Sequence, residues 1–409
     1  MTVRPFDIRS QEFKRNPYPA LAQMVEQGPL VKVKYPFIGD MWMTTTYEAC
    51  NELLRDGRNF VRDARSAGLK KGANLPWWMP RSFKAMAVGM INRDPPDHRR
   101  LRGLVEQAFL RRSVDSLRPR FEQIVDRIID DLAEKYDRTG QPVDLVADLA
   151  RPFPLAVICE LLGLPQADRP MFVRHAEAMA NNPSWLSLFK MLSGLKRLTT
   201  YIRDQVQRVR RTPQEGLISA LSAAEQAGDR LTEEEMVAMI LLLLFAGHIT
   251  TVHLIGAGIF TLFGHPSQKQ ALLADWSLAE SAIDEMLRYI SPVQMTKPMM
   301  PVRDMHWHGQ DLKRGENVVA YIAAANVDPN QFPEPERFDI LRRPNAHLAF
   351  GAGPHICLGL KLAVAETEIA LRRLFTRFPN LELAVPIEQV PWSRQLGTRG
   401  MASLPVRLA

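Results

Sequence analysis

From Met236 to Gly264 the chain contains no aspartate, glutamate, lysine or arginine. A helix over that run, at ~1.5 Å per residue, would be about 40 Å long and apolar on every side. Only a bilayer or the core of a large protein accepts such a helix. His248, Thr250, Thr251 and His253 sit mid-run, and no basic stop-transfer flank follows. Thr232 followed by Glu235 forms a capping-box start, with Glu233 and Glu234 suited to the positive helix end. The run is therefore expected to be a buried core helix and not a membrane span.

Around this run the patterns are mostly helical. A short helix over 19–27 precedes strand-like LVKVKY and MWMTTT, then another helix from Tyr47. Amphipathic helical patterns dominate from about Pro95 to Tyr289. HWHGQDL and VVAYIA lean towards strand, and Pro-rich coil follows Asp328-Pro329. A last helix ends near Pro379, before short strands. The expected class is mainly α with a small β region. With no linker, repeat or low-complexity tract, one unit over 1–409 is the simplest organisation.

Charge and cysteine content exclude several functions. Lys and Arg number 52 against 45 acids, a mild +7. The arginine pairs at 99–100, 111–112, 210–211 and 372–373 lack the interleaved aromatics of a nucleic-acid groove, so no nucleic-acid partner is expected. Three dispersed cysteines with no CxxC pair argue against a disulfide framework or structural zinc. The N-terminal residues show no apolar signal core, which points to the cytoplasm.

The strongest chemical signal is Phe350-Gly351-Ala-Gly353-Pro-His355-Ile-Cys357-Leu-Gly359. Cys357 stands just ahead of a helical pattern (Leu358, Leu362, Ala365, Ile369), where unpaired backbone N–H groups and the helix dipole favour a thiolate. Gly351 and Gly353 permit a tight turn, and Gly359 leaves room for a flat ring. The residues alone leave two readings, a thiolate metal ligand or a structural cysteine in a turn. A dinucleotide loop is excluded because Ile356 stands where a third glycine is required.

This stretch resembles the haem-binding loop of the cytochrome P450 family, with its aromatic, two glycines, basic residue, cysteine and final glycine. Four other segments resemble family signatures in matching order. Glu285-Met-Leu-Arg288 is similar to the E-x-x-R pair, and Pro335-Glu-Arg337-Phe338 to the downstream arginine segment, implying a clamp of Glu285, Arg288 and Arg337. Asp94 to Arg102 resembles the helix that grips the haem propionates, implying His98 and Arg102 as donors. His347 and Lys297 are implied as further donors, and counting back from Asp304 the usual arginine position holds Met299. Ala246-Gly247-His248-Ile249-Thr250-Thr251 resembles the oxygen-activation stretch, in which a threonine beside a widened turn holds a water. The family places an acid directly before that threonine; here it is Ile249.

The resemblance implies haem b held by Cys357 and the insertion of one oxygen atom from dioxygen into an apolar organic substrate. Thr250, Gly247 and Thr251 would be the catalytic stretch. No flavin, nicotinamide or iron–sulfur pattern is present, so electrons are expected from a ferredoxin and its reductase, docked on a basic face carrying Arg111, Arg112 and Lys361. Trp77, Trp78, Met86, Leu243, Ala246 and Met295 are the expected substrate pocket, with ordinary core packing as the alternative for each. Two rival readings are a peroxide-using or non-hydroxylating haem-thiolate enzyme, which Ile249 would suit, and a haem protein that binds ligand without turnover.

Overall fold

The computed structural model describes residues 8, 10–35, 39–69, 89–110, 114–172, 174, 185–226 and 231–408. The elements, in chain order, begin with α1 (Gln11–Arg15), α2 (Tyr18–Glu26), β1 (Leu30–Tyr35), β2 (Gly39–Thr44), α3 (Tyr47–Arg55) and β3 (Phe60–Val61). There follow α4 (Asp97–Leu110), α5 (Val114–Thr139), β4 (Val143–Asp144), α6 (Pro152–Leu162), α7 (Trp185–Arg211), α8 (Leu217–Gln226) and α9 (Glu233–Gly264). The last part holds α10 (Pro266–Ala274), α11 (Ala279–Ile290), β5 (Met300–Pro301), β6 (Met305–Trp307), β7 (Gln310–Leu312), β8 (Val318–Ala320), α12 (Ile322–Ala325), α13 (Leu360–Arg377), β9 (Glu382–Leu383) and β10 (Pro405–Arg407). The mainly helical expectation with a minor sheet content is met.

Two units are distinct by contact: Met1–Lys70, Val125–Ala150 and Thr250–Ala409 form one, and Lys71–Ile124 with Arg151–Ile249 the other. In the first, β1 and β2 form an antiparallel hairpin from Leu30↔Thr44 to Tyr35↔Gly39, and β8 joins parallel to β2. Alternation assigns the two sheet faces to different cores. Val31, Val33, Met41 and Met43 pack with Phe13, Tyr18 and Leu21 of the N-terminal helices. Leu30, Val318 and Ala320 pack instead with Leu53 and Leu54 of α3 and with Leu348 and Ala352. The sheet thus backs the segment leading to Cys357. The strand expected over VVAYIA stops at Ala320, because Ile322–Ala325 turns helical, as a run of three alanines favours.

The second unit is built on α4, α6, α7, α8 and the first half of α9. Gly163 ends α6 in the left-handed conformation (φ +78) and lies back to back with Gly216, where a Cβ would meet the Leu162 carbonyl at 2.5 Å. The capping box expected for α9 forms in both directions: Glu235 N–H donates to Thr232 Oγ1 (3.1 Å) and Thr232 N–H to Glu235 (2.8 Å).

Among the described residues α9 is the one helix long and apolar enough to cross a bilayer, and 61% of its most apolar window is buried. His248, Thr251 and His253 are 6%, 4% and 6% exposed. It is a core helix. Gly256 lets Val146 and Met401 approach it, and Gly258 lies against Met286 of α11.

Candidate active site

The segment from Leu348 to Gly359 is held at its entry by a buried polar network. Arg288 and Glu285, both 0% exposed, are joined by two bonds of 2.8 Å. Arg288 also donates to the carbonyls of Asn326 (3.1 Å), Pro335 (2.9 Å) and Arg337 (3.2 Å). Asn326, wholly buried, accepts the Leu348 N–H at 2.8 Å and donates to Ser291 at 2.9 Å. One continuous chain of bonds therefore runs from α11 to the start of the cysteine loop.

One expected role needs correction. The arginine whose side chain reaches Glu285 is Arg342 (Nε to Oε1, 3.2 Å), helped by Asn345 (3.1 Å). Arg337 contributes only its carbonyl; its side chain is 61% exposed and turns to Glu334 and Asp339. His347, expected on a propionate, accepts the Ala349 N–H on Nδ1 (3.3 Å), and its Nε2 lies 3.5 Å from Asp284 of α11.

Beyond Leu348 the loop has the expected turn. Gly351 (φ +71) and Gly353 (φ +66) take conformations that side chains disfavour, and a Cβ on Gly353 would lie 2.4 Å from the Leu54 carbonyl of α3. Cys357 donates its N–H to the Phe350 carbonyl (2.8 Å), closing the loop, and stays half-buried where Cys50 and Cys159 are fully buried. Burial pushes both of those thiols up to about 12, so neither is a thiolate at neutral pH. Gly359 caps α13 without a side-chain bond, and the first carbonyl-bound N–H of the helix belongs to Ala363. The N–H groups of Leu360 to Leu362 therefore have no intrahelical acceptor, the setting that favours negative charge at the nearby sulfur. A Cβ at Gly359 would meet nothing within 4 Å, which leaves room for a flat ring.

In the second unit His98 is buried (3% exposed) one turn before Arg102, which pairs with Glu106 at 2.6 Å. Gly247 accommodates Ile158, whose Cδ1 would be 2.7 Å from an added Cβ. The helix is α-helical without interruption through Thr250, so the widened turn expected there is absent. Burial, with Arg151 adding, pushes the His248 imidazole down to about 4, and its Nδ1 has no partner among the described residues. Ala246 is open to solvent and Leu243 half-buried, as is Met295 in the first unit. Trp77, Trp78, Met86, Arg111 and Arg112 lie outside the described residues.

Among the described residues no group of three or more His, Cys, Asp or Glu could cage a metal. A single accessible cysteine at a helix start is able to ligate a metal whose other positions a macrocycle fills. The cytochrome P450 family model matches residues 26–393. The chain belongs to the cytochrome P450 family. This P450 is 34% identical to the polyketide biosynthesis cytochrome P450 PksS of Bacillus subtilis over 99% of its own length and 98% of the relative's. It is 37% identical to the vitamin D(3) 25-hydroxylase of Pseudonocardia autotrophica, over 98% and 96% of the two chains. The solved structure of PksS superposes with a TM-score of 0.89, at 34% identity over 99% of this chain and 100% of that one. The protein is therefore a haem b-dependent monooxygenase that needs an external electron source and an organic substrate.

Sequence reasoning missed Asn326, Arg342 and Asn345. None lies in a periodic pattern, and Asn326 simply follows a run of three alanines.

Proposed function

We propose that this P450 oxygenates a large, mostly apolar natural product of the polyketide or sterol type, in the cytoplasm, with electrons from a ferredoxin and its reductase. One observation carries the substrate class: Ala246 is exposed on α9, between buried Leu244 and His248, with Leu243 half-buried one turn before it. An apolar, small-residue opening in a core helix suits an apolar ligand with few polar anchors. The names of PksS and the vitamin D(3) hydroxylase agree with that class.

In this reading Cys357 would hold the haem iron, and its thiolate would supply the electron density that favours O–O cleavage. Phe350, Gly351, Gly353, His355 and Gly359 form the loop around it, and His98, Arg102 and Lys297 provide donors for the propionates. Bound haem supplies the reductive activation of dioxygen. Thr250 and Thr251 position water and a proton beside the oxygen site, and Gly247 keeps that turn of the helix free of side chain. Ile249 cannot accept or pass a proton, so the acid reaches Thr250 by a route that does not use position 249. Lys361, exposed in the first turn of α13, belongs to the electron-donor face on the cysteine side.

The test is an absorbance titration with macrolactone, sterol, terpenoid and fatty-acid libraries, reading displacement of water from the ferric iron. A spin-state shift with macrolactones or sterols is the expected result. Shifts with small polar ligands alone would sink the proposed substrate class.

A further inference from the structure

Lys14 of α1 is 0% exposed, an unusual place for a lysine. Its ammonium donates to the Gln294 side chain (Oε1, 3.1 Å) and to the carbonyls of Gln395 (3.2 Å) and Thr398. Arg399, also buried, reaches back to α1 and α11. Its Nε donates to the Lys14 carbonyl (2.8 Å), Nη2 to the Arg15 carbonyl (3.2 Å), and Nη1 to the carbonyls of Tyr289 (3.1 Å) and Ile290 (3.3 Å). Among the described residues both cations are met by carbonyls and one amide, and by no carboxylate. The two segments that Lys14 spans are also laced to each other. Val293 and Thr398 form an antiparallel bridge, Gln294 N–H donates to the Gly397 carbonyl (2.9 Å), and Arg399 N–H to the Pro292 carbonyl (3.0 Å).

These segments carry an apolar edge. Val293 and Met295, on either side of Gln294, are half-buried, and Leu396 is a large apolar side chain left 41% exposed. A Cβ at Gly397 would lie 3.6 Å from Met295 Cγ, so the two segments meet there closely. The first segment runs on to Met299, whose side chain packs with Leu348 and Ala352 of the cysteine loop. The edge therefore stands on backbone that leads directly to the haem-binding loop. Holding it with a lysine is costly. Burial, with Arg399 adding, pulls the Lys14 ammonium down to about 7, and an apolar side chain of similar size would tax the fold less. What a lysine supplies instead is three directed donors, which fix Gln294, Gln395 and Thr398 relative to one another.

We propose that Lys14 is a positioning residue for substrate: with Arg399 it fixes segments 292–295 and 395–399 against each other, and so sets the apolar edge of Val293, Met295 and Leu396 that a large apolar ligand meets. The inference deepens the large-apolar-substrate reading above and rests on it. Lys14 itself touches neither haem nor substrate; it acts through the backbone it holds.

The experiment titrates the ferric holoenzyme with two nitrogen ligands of the iron, imidazole and N-tritylimidazole, read by the Soret shift. The first is too small to reach the edge; the second carries a bulky apolar group. Lys14→Met should keep its imidazole affinity within about twofold and weaken N-tritylimidazole roughly tenfold. The double variant Met295→Ala/Leu396→Ala should also weaken the bulky ligand, and adding Lys14→Met to it should cost no more than about twofold further, because both act through one edge. Gln294→Leu, which removes one acceptor of the lysine, should shift the same ratio in the same direction and serves if Lys14→Met does not fold. An unchanged ratio of the two affinities in Lys14→Met, or in Gln294→Leu where that variant serves, would overturn the proposal. So would an equal loss for both ligands, which would place the effect on the haem site or the fold, and so would full additivity with the edge variant. A parent that binds N-tritylimidazole no more tightly than imidazole would sink the substrate reading and the proposal with it, whereas a failure confined to the variants sinks the proposal alone.

Discussion

Replacing Glu285 by alanine removes the acceptor at the centre of the clamp. Its carboxylate takes bonds from Arg288 Nε and Nη2, Arg342 Nε, the Asp339 N–H and the Asn345 amide. Arg288, 0% exposed, keeps three carbonyl partners but loses both carboxylate bonds. An uncompensated buried charge costs about 3–5 kcal/mol, and a stranded Asp339 N–H or Asn345 amide adds about 1 kcal/mol or more. Against a total stability of about 5–15 kcal/mol, a loss on the order of 5 kcal/mol is a third of it or more. Because Arg288 reaches Leu348 through Asn326, the cysteine loop should loosen as well. Urea unfolding read by far-UV circular dichroism, beside haem content per chain, checks both effects. The double variant Glu285→Leu/Arg288→Met, which leaves Arg342 as the one clamp arginine without its carboxylate, should recover part of the loss. A Glu285→Ala protein with the parent's midpoint and full haem content, yet slow turnover, would refute the clamp and assign Glu285 to the chemistry.

Three further outcomes follow from particular side chains. His248 has a folded value of about 4 against 6.5 unfolded, so the unfolded chain binds the extra proton between those values; stability present above pH 6.5 is lost as pH falls towards 4, by ~3 kcal/mol. His248→Gln should flatten that part of the stability–pH curve, and an unchanged curve would mean that the imidazole titrates normally. Ile249→Glu should raise product formed per reducing equivalent if the missing carboxylate limits proton delivery, with peroxide-driven turnover unchanged; such relays are worth about 10²–10⁴-fold in rate. Equal coupling in both proteins would show that the route never needed an acid at 249. Cys50 and Cys159 should resist alkylation in the native protein at pH 8, since burial holds both thiols up at about 12; rapid labelling of either would contradict their place in the core.

What was legible in the sequence was what is local. The capping box of α9, the positive-φ glycines before Cys357 and the absence of charge along the core helix each depend on a few neighbouring residues, and each appears as expected. The Glu285–Arg288 pair was legible for the same reason, being one helix turn apart. The remaining members of the clamp lie in irregular coil, where no period says which side chain points inwards. Arg337 and Arg342 are five residues apart in that coil, and only the fold decides that Arg342 meets Glu285 while Arg337 faces solvent. The approach of His347 to Asp284 was hidden for the same reason, since Asp284 comes from a distant helix.

The central claim is that Cys357 carries the iron. The direct measurement is the absorbance spectrum of the ferrous carbon-monoxide complex for the parent and for Cys50→Ser, Cys159→Ser and Cys357→Ser. The parent and the first two variants should show the red-shifted Soret band of a thiolate-ligated complex, and Cys357→Ser alone should lack it. A Cys357→Ser protein that kept the thiolate band would contradict it.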